Sequence, residues 1–412
     1  MGYLLSMQRV RAMSCMIVCI QHIIAILHLR IADYVPTLLG RGIGGGRLFF
    51  VISGYFLTNT LNKLFQNTQL DLNNTTLYQR LTGDNFQKLY QMLVKKWFRI
   101  MPVALTVLMC AIIIAYSFSY IWQEDFHVSI SVATITRCLS DMLFFLYNYD
   151  AMDFRSEGDW TWASSLLPLW WLSVLGQLTV IWSVLYIICK NDNTRFILAL
   201  ILCILSALVA RSVIIRIDYM YYYYSTLTNA DGFFAGIIVA FARFNQQNPK
   251  VNMPNSQNSS VNYTTALMSL FFILMIWIYP SVSRERYLDS WLIGFDNMVV
   301  LLSSTALVWM ASGDQNGRRG SVLYIPGLNT VLEWFGERSF SFYAIHSLVF
   351  ITAIFLLNTY IFAQSDYEKL TIAFIELIVC VISALIFTEV IYQLFEKPNK
   401  STKNIKPSIS NN

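Results

Sequence analysis

Charge is what this sequence has least of. Asp, Glu, Lys and Arg make up 13% of its 412 residues, while apolar types make up 56%. A water-soluble domain carries about 25% charged residues, so an ordinary soluble globular protein is excluded. Histidine is rarer still, with four in the chain. There is no C-x-x-C pair and no zinc-type cluster. The seven cysteines (Cys15, Cys19, Cys110, Cys138, Cys189, Cys203 and Cys380) fall mostly inside apolar runs and read as small buried hydrophobes, so no metal is expected. No small-residue cleavage site follows the first apolar run, which therefore reads as a permanent span. The net charge of +5 is modest and sits in loops and tails, which fits topology-setting charge better than a nucleic-acid surface.

What is there is apolar sequence in long runs, with a mean hydropathy of +0.51. Runs lie at 10–30, 43–62, 101–123, 129–148, 166–189, 195–213, 232–244, 264–280, 294–312, 340–360 and 370–395, judged by the ~20-residue length of a span. The stretch 129–148 carries Arg137 and Asp141, and 232–244 is short and contains glycine. Each is either a broken, tilted or partly embedded helix, or a buried one. The connection after the second run carries Lys63, Arg80, Lys88, Lys95, Lys96 and Arg99, and the C-terminal tail carries Lys397, Lys400, Lys403 and Lys406. Basic loops face the cytoplasm, so both termini are expected there, with about ten full spans. The expected fold is an all-α, polytopic helical membrane protein. Residues 1–398 form the membrane domain, and 399–412 form a polar, basic, disordered cytoplasmic tail.

The first run holds a pair that organises the rest. Arg11 and His22 are eleven positions apart with almost nothing but apolar residues between them. At 100° per residue they fall within roughly 20° of one helix face, and about 16 Å apart along the axis. The arginine would lie near a membrane surface and the histidine about half-way in. An ionisable residue at that depth marks a functional site, or else hydrogen-bonds inside a bundle beside a snorkelling arginine. His28, six residues on, turns about 120° away and reads as interfacial. His127 lies in a loop with no visible partner.

Other positions carry two readings each. Arg47 follows three glycines in an otherwise apolar run, where it either pairs with a carboxylate, binds an anionic head group, or snorkels. Asp231 precedes a glycine and either contacts acceptor hydroxyls or starts a helix as its N-cap. Trp170, Trp171, Ser173 and Gln177 share one run and line a cavity or pack as core. Asp150, Asp153, Asp159, Trp160 and Trp162 crowd one loop. Carboxylates beside aromatics suit sugar binding, and an interfacial tryptophan belt is the competitor. Residues 245–262 read as a plain hydrophilic loop. The Asn-x-Ser/Thr triplets at Asn73, Asn74, Asn258 and Asn262 are of the kind such loops hold by chance. Glu389 and Arg137 are further charges without an assigned partner.

Several stretches, in order, resemble the acyltransferase-3 family of membrane acyltransferases. They are RAMSCMIVCIQH with its Arg11 and His22, GGGRLFFVISGYFLT (Gly44–Thr58), KKWFRIMP (Lys95–Pro102), LPLWWLSVLGQLTVIW (Leu167–Trp182), WFGERSFSFYAIH (Trp334–His346) and FEKP (Phe395–Pro398). The fourth is similar to the subgroup that O-acetylates cell-wall and surface polysaccharides. Two positions depart from the pattern: Leu175 stands where many relatives carry a glutamate, and Asn229 where they often carry an arginine. The esterase-like domain that some relatives add after an extra span is not seen, so a separate partner completes the transfer or the chain acts alone.

The resemblance implies transfer of an acyl group, usually acetyl, from cytoplasmic acyl-CoA to a carbohydrate hydroxyl. Arg11, Lys96 and Arg99, with Arg47, would supply cationic contacts to the coenzyme. Positive-inside topology alone also accounts for the basic residues before the third run. His22 would be the base, deprotonating the acceptor or carrying the acyl group transiently. Trp170, Trp171, Gln177, Asp231, Tyr343 and His346 would line the acceptor site. The expected co-substrate is acetyl-CoA or another acyl-CoA. The expected partners are a cell-surface or lipid-linked glycan, membrane lipid and a glycan-assembly complex, at the cell membrane. Two other functions fit the same composition: a polysaccharide or lipid exporter, in which His22 belongs to a proton or substrate pathway, and a catalytically silent membrane subunit of such a complex.

Overall fold

Apolar runs of this length find no water for their backbone groups in a membrane, so the chain must satisfy them internally, as helix. The computed structural model describes residues 2–31, 44–65, 76, 83–121, 132–149, 166–210, 224–246, 263–278, 290–313, 322–360 and 366–397, and among these residues there is no strand. The elements are α1 (Gly2–Ile31), α2 (Gly44–Phe65), α3 (Asp84–Ile121), α4 (Val132–Leu143), α5 (Trp170–Ile188), α6 (Asp192–Ile204), α7 (Thr226–Gln246), α8 (Tyr263–Ile278), α9 (Ser290–Gly313), α10 (Asn329–Glu337), α11 (Ser339–Tyr360) and α12 (Asp366–Ile391). Wider π turns continue α6 over Leu205–Ala210 and α12 over Tyr392–Glu396. Asp84–Ile114, Trp170–Ile188, Thr226–Phe244 and Phe374–Glu396 are long and apolar enough to cross a membrane, and shorter apolar stretches occupy Leu267–Ile276, Met298–Gly313 and Ser339–Ala353. This is a helical membrane protein. The acidic and aromatic loop at 150–165, His127, the four Asn-x-Ser/Thr sites and the tail lie outside the described residues.

Three boundaries differ from those read in the sequence. The third helix begins at Asp84, ahead of the apolar run, so Lys95, Lys96 and Arg99 are interior helical residues, and Pro102 lies inside the helix. The segment at 232–244 is part of a longer, unbroken helix, Thr226–Gln246. The stretch at 129–148 is not one helix. Its helix α4 has 12 residues, about 18 Å of rise, which is too short to span. It ends in a Schellman motif: Leu146 N–H reaches Asp141 O and Phe145 N–H reaches Met142 O, with Phe145 left-handed at φ 58°. A phenylalanine there is strained by about 1–2 kcal/mol. Its ring is accommodated against Gly176, where a Cβ would stand 2.4 Å from Phe145 Cδ1.

The central seam is α2 against α7. The two run in the same direction: Arg47 meets Asp231, and Val51 meets Gly236. A Cβ on Gly54 would stand 2.0 Å from Phe233 O, and one on Gly236 would stand 1.9 Å from Val51 O. Small residues let the backbones touch, which is how helices gain packing energy in lipid. Beside this seam, Phe65, Trp182, Tyr186 and Phe241 are fully buried and pack ring to ring. The apolar stretch within Thr226–Phe244 is mostly buried and that within Asp84–Ile114 mostly is not, so α7 is central and α3 peripheral, with Met109 and Ile113 turned outward.

One end of the bundle is basic and brings the first turns of α1 beside α10 and the last turns of α12 beside Arg338. Arg9 of α1 donates to Glu333 of α10 at 2.9 Å from Nε and 2.5 Å from Nη2. Arg338, just after α10, donates to Glu389 of α12 at 2.5 Å, and its guanidinium lies over Trp334 at 4.5 Å. Glu389 thus has its partner. Arg137 sits 4.0 Å from Asp141 one turn away. Asn191 caps α6 by accepting from Thr194 N–H at 2.8 Å.

Candidate active site

The depth set by Arg11–His22 brings a second histidine to the first. His346 lies on α11, and its side chain points back along the helix, as long helical side chains do. Its Nδ1 is 2.8 Å from Tyr343 O and 3.2 Å from Phe342 O. Carbonyls only accept, so Nδ1 carries the hydrogen, and the neutral ring keeps its lone pair on Nε2. That Nε2 is 2.8 Å from Nδ1 of His22. His22 must therefore donate through Nδ1, which puts its own lone pair on the far nitrogen, Nε2. This ordering is assigned from the partners of His346 Nδ1 and from the contact the two rings share. His346 is 1% exposed. It is parallel to the Phe342 ring at 5.6 Å and meets the edges of Tyr343 and Phe350. His22 is half-buried.

About 16 Å toward the basic end on the same face of α1 stands Arg11, half-buried, with its guanidinium 4.5 Å from the centre of the Phe56 ring. Arg11, Lys96 and Arg99 lie within electrostatic reach of one another. Lys96 Nζ donates to Thr179 Oγ1 of α5 at 3.0 Å. Arg99 is two-thirds exposed and stands 3.7 Å from Glu396. Glu396, in the π turn after α12, accepts from Ser341 N–H at 2.9 Å and from the Ser341 hydroxyl. Arg11 and Arg99 thus face one carboxylate, with Lys96 beside them, and that carboxylate is already committed to α11. The surplus positive charge suits a polyanion.

One buried and one half-buried imidazole thus stand at a different level of the bundle from a cationic cluster. The family comparison decides the class. The model of the acyltransferase-3 family, described as an acyltransferase domain, matches residues 4–392. The chain belongs to this family. Comparison with curated proteins and with solved structures gives no match. The protein is therefore a membrane acyltransferase.

In this acyltransferase the other sequence-nominated residues fall into three groups. Trp171 and Tyr343 join the histidines. Trp171, 4% exposed, packs at 4.6 Å on Tyr343, 5.6 Å on Phe49 and 6.1 Å on Phe340. Trp170 and Gln177 turn to a neighbouring face of α5. Trp170 meets Tyr224 edge-on at 5.3 Å. Gln177 donates to Phe145 O at 2.5 Å and to Asn148 Oδ1 at 3.0 Å, and accepts from the Thr226 hydroxyl. Gln177 therefore holds the strained turn after α4. Arg47 and Asp231 form the third group. Arg47 Nη1 reaches both carboxylate oxygens of Asp231, at 2.8 and 2.9 Å. Asp231 is fully buried and also accepts from Gly232 N–H at 2.7 Å. It sits inside α7 rather than at an N-cap, so the capping alternative does not hold. Among the described residues no group of His, Cys, Asp and Glu is arranged to hold a metal ion.

Sequence reading missed Glu396, Thr179 and Asn148. Glu396 was in view as part of FEKP, but its link to Ser341 spans 55 positions. Nothing local signals it.

Proposed function

We propose that this acyltransferase moves an acyl group, acetyl in the simplest case, from acyl-CoA at the basic end to a hydroxyl of a cell-surface or lipid-linked glycan. The observation that carries the reading is the ordered His22–His346 pair, one arginine-to-histidine reach above the Arg11–Lys96–Arg99 cluster. The cluster's charge fits the coenzyme's phosphates, and basic ends face the cytoplasm, where acyl-CoA is made available. The glycan acceptor is supported by the likeness of Leu167–Trp182 to the polysaccharide-modifying subgroup.

The chemistry follows from the proton order. The acceptor O–H gives its proton to Nε2 of His22, whose Nδ1–H stays hydrogen-bonded to His346. The oxygen attacks the thioester carbonyl carbon. The tetrahedral intermediate then expels the thiolate, which takes the proton from His22. The products are an ester and free CoA. His22 supplies general-base catalysis, a contribution of roughly 100- to 10,000-fold, and His346 positions it.

The test uses full-length protein in lipid nanodiscs with carbonyl-labelled acetyl-CoA and surface glycan. Wild type transfers label to the glycan, and folded His22→Ala protein loses transfer by at least about 100-fold. Transfer undiminished in that variant would remove His22 from the chemistry.

A further inference from the structure

A base alone leaves the reaction half equipped. As the thioester carbonyl is attacked, its oxygen becomes an anion, and in a dry site that charge needs a donor aimed at it. Several buried donors lack a partner among the described residues, and of the two such indoles Trp171 is the one packed on Tyr343, which touches His346, while Trp182 packs on Tyr186 and Phe241. The indole N–H of Trp171 has no accessible surface and no hydrogen-bond partner there, and an unmet buried donor is costly.

Helix arithmetic puts it at the right depth. Thr179 binds Lys96, which marks the coenzyme level on α5. Trp171 lies two turns back on the same row, about 12 Å deeper, and His22 lies about 16 Å deeper than Arg11 on α1. The two levels converge at Tyr343, which touches Trp171 at 4.6 Å and His346 at 5.5 Å. Leu175, the one side chain between Trp171 and Thr179 on that row, is apolar and 8% exposed, which keeps the field strong by excluding water.

We propose that Trp171 Nε1–H donates a hydrogen bond to the acyl carbonyl oxygen and stabilises it as an oxyanion. This rests on the acyl-transfer reading above. When the acceptor oxygen bonds to the carbonyl carbon, the C=O electron pair moves onto the oxygen facing Trp171. When the C–S bond breaks, that pair returns to the carbonyl and the thiolate leaves protonated by His22.

The decisive variant is Trp171→Phe, which removes the N–H and keeps a ring against Tyr343 and Phe49. The probe is acetyl-CoA labelled with carbon-13 at its carbonyl, bound without acceptor to full-length protein in nanodiscs and read by difference infrared spectroscopy. The carbonyl stretch is expected at lower frequency in wild type than in Trp171→Phe, and kcat for transfer is expected to fall by about 100-fold with KM for acetyl-CoA unchanged. Phe49→Leu loosens the same packing without touching the N–H. A packing role makes it as damaging as Trp171→Phe and leaves the carbonyl band in place. A bound carbonyl at equal frequency in wild type and Trp171→Phe overturns the role of Trp171 and spares the acyl-transfer reading. No bound acetyl-CoA in wild type overturns both.

Discussion

A neutral imidazole has one hydrogen and one lone pair, and here two carbonyls on α11 decide where both histidines keep theirs. The consequence is testable at a single residue. His346→Ala leaves Nδ1–H of His22 without its acceptor, so the ring is free to flip or change tautomer. His346→Gln can restore an acceptor oxygen. Transfer rates are expected in the order wild type, Gln, Ala, with Ala about 10- to 100-fold below wild type and KM for acyl-CoA little changed. Equal loss in both variants would mean that His346 matters for packing alone. His22 itself was legible because an arginine and a histidine on one face of an apolar helix are rare and costly. The partnership was not, because His22 and His346 are 324 positions apart. No periodicity in either helix encodes the meeting.

At the scale of helices, α2 and α7 carry the strongest dependence on individual positions. Gly236→Leu drives a side chain into Val51 O, where even a Cβ would stand at 1.9 Å. The helices must separate, and the melting temperature in detergent should fall by several degrees, matching overpacking costs of about 1–3 kcal/mol or more. The same seam contains the Arg47–Asp231 pair. Removing one partner, as in Arg47→Met, strands a buried carboxylate and should cost about 3–5 kcal/mol. The double variant Arg47→Met with Asp231→Leu should recover much of that. A double variant as unstable as the sum of the singles would show that the pair is not coupled. The existence of α2 was plain from its apolar length, whereas 232–244 read as a short run that could be broken, tilted or buried. The starts of α3 and α7 were not legible, because α3 starts in amphipathic sequence at Asp84 and α7 starts among polar residues at Thr226, where hydropathy gives no signal. The turn at Phe145 was hidden for another reason. Left-handed backbone usually announces itself as glycine, and here a phenylalanine is held by Gly176 and Gln177 from α5.

For the whole molecule, what matters is that the cationic cluster and the histidine pair stand at different levels of the bundle. The cations Arg11, Lys96 and Arg99 come from α1 and α3, and Arg11 lies about 16 Å along α1 from His22, with apolar side chains such as Val18 and Leu175 between the levels. On the proposed acyl-CoA reading, the donor's anionic head meets the cations and its long arm reaches the imidazoles, and the two ends should respond to different perturbations. Raising salt from about 50 to about 500 mM screens the half-exposed cluster and should raise KM for acetyl-CoA while leaving kcat nearly constant. A short thioester with no phosphate, such as acetyl-N-acetylcysteamine, should be used poorly and show no salt dependence. Lys96→Met should raise KM for acetyl-CoA and flatten its salt response, because one of three cations is gone. Arg99→Gln should do less, since Arg99 is two-thirds exposed and already faces Glu396. Should KM for acetyl-CoA ignore both salt and Lys96, the coenzyme enters elsewhere, and the basic end serves only to orient the chain in the membrane.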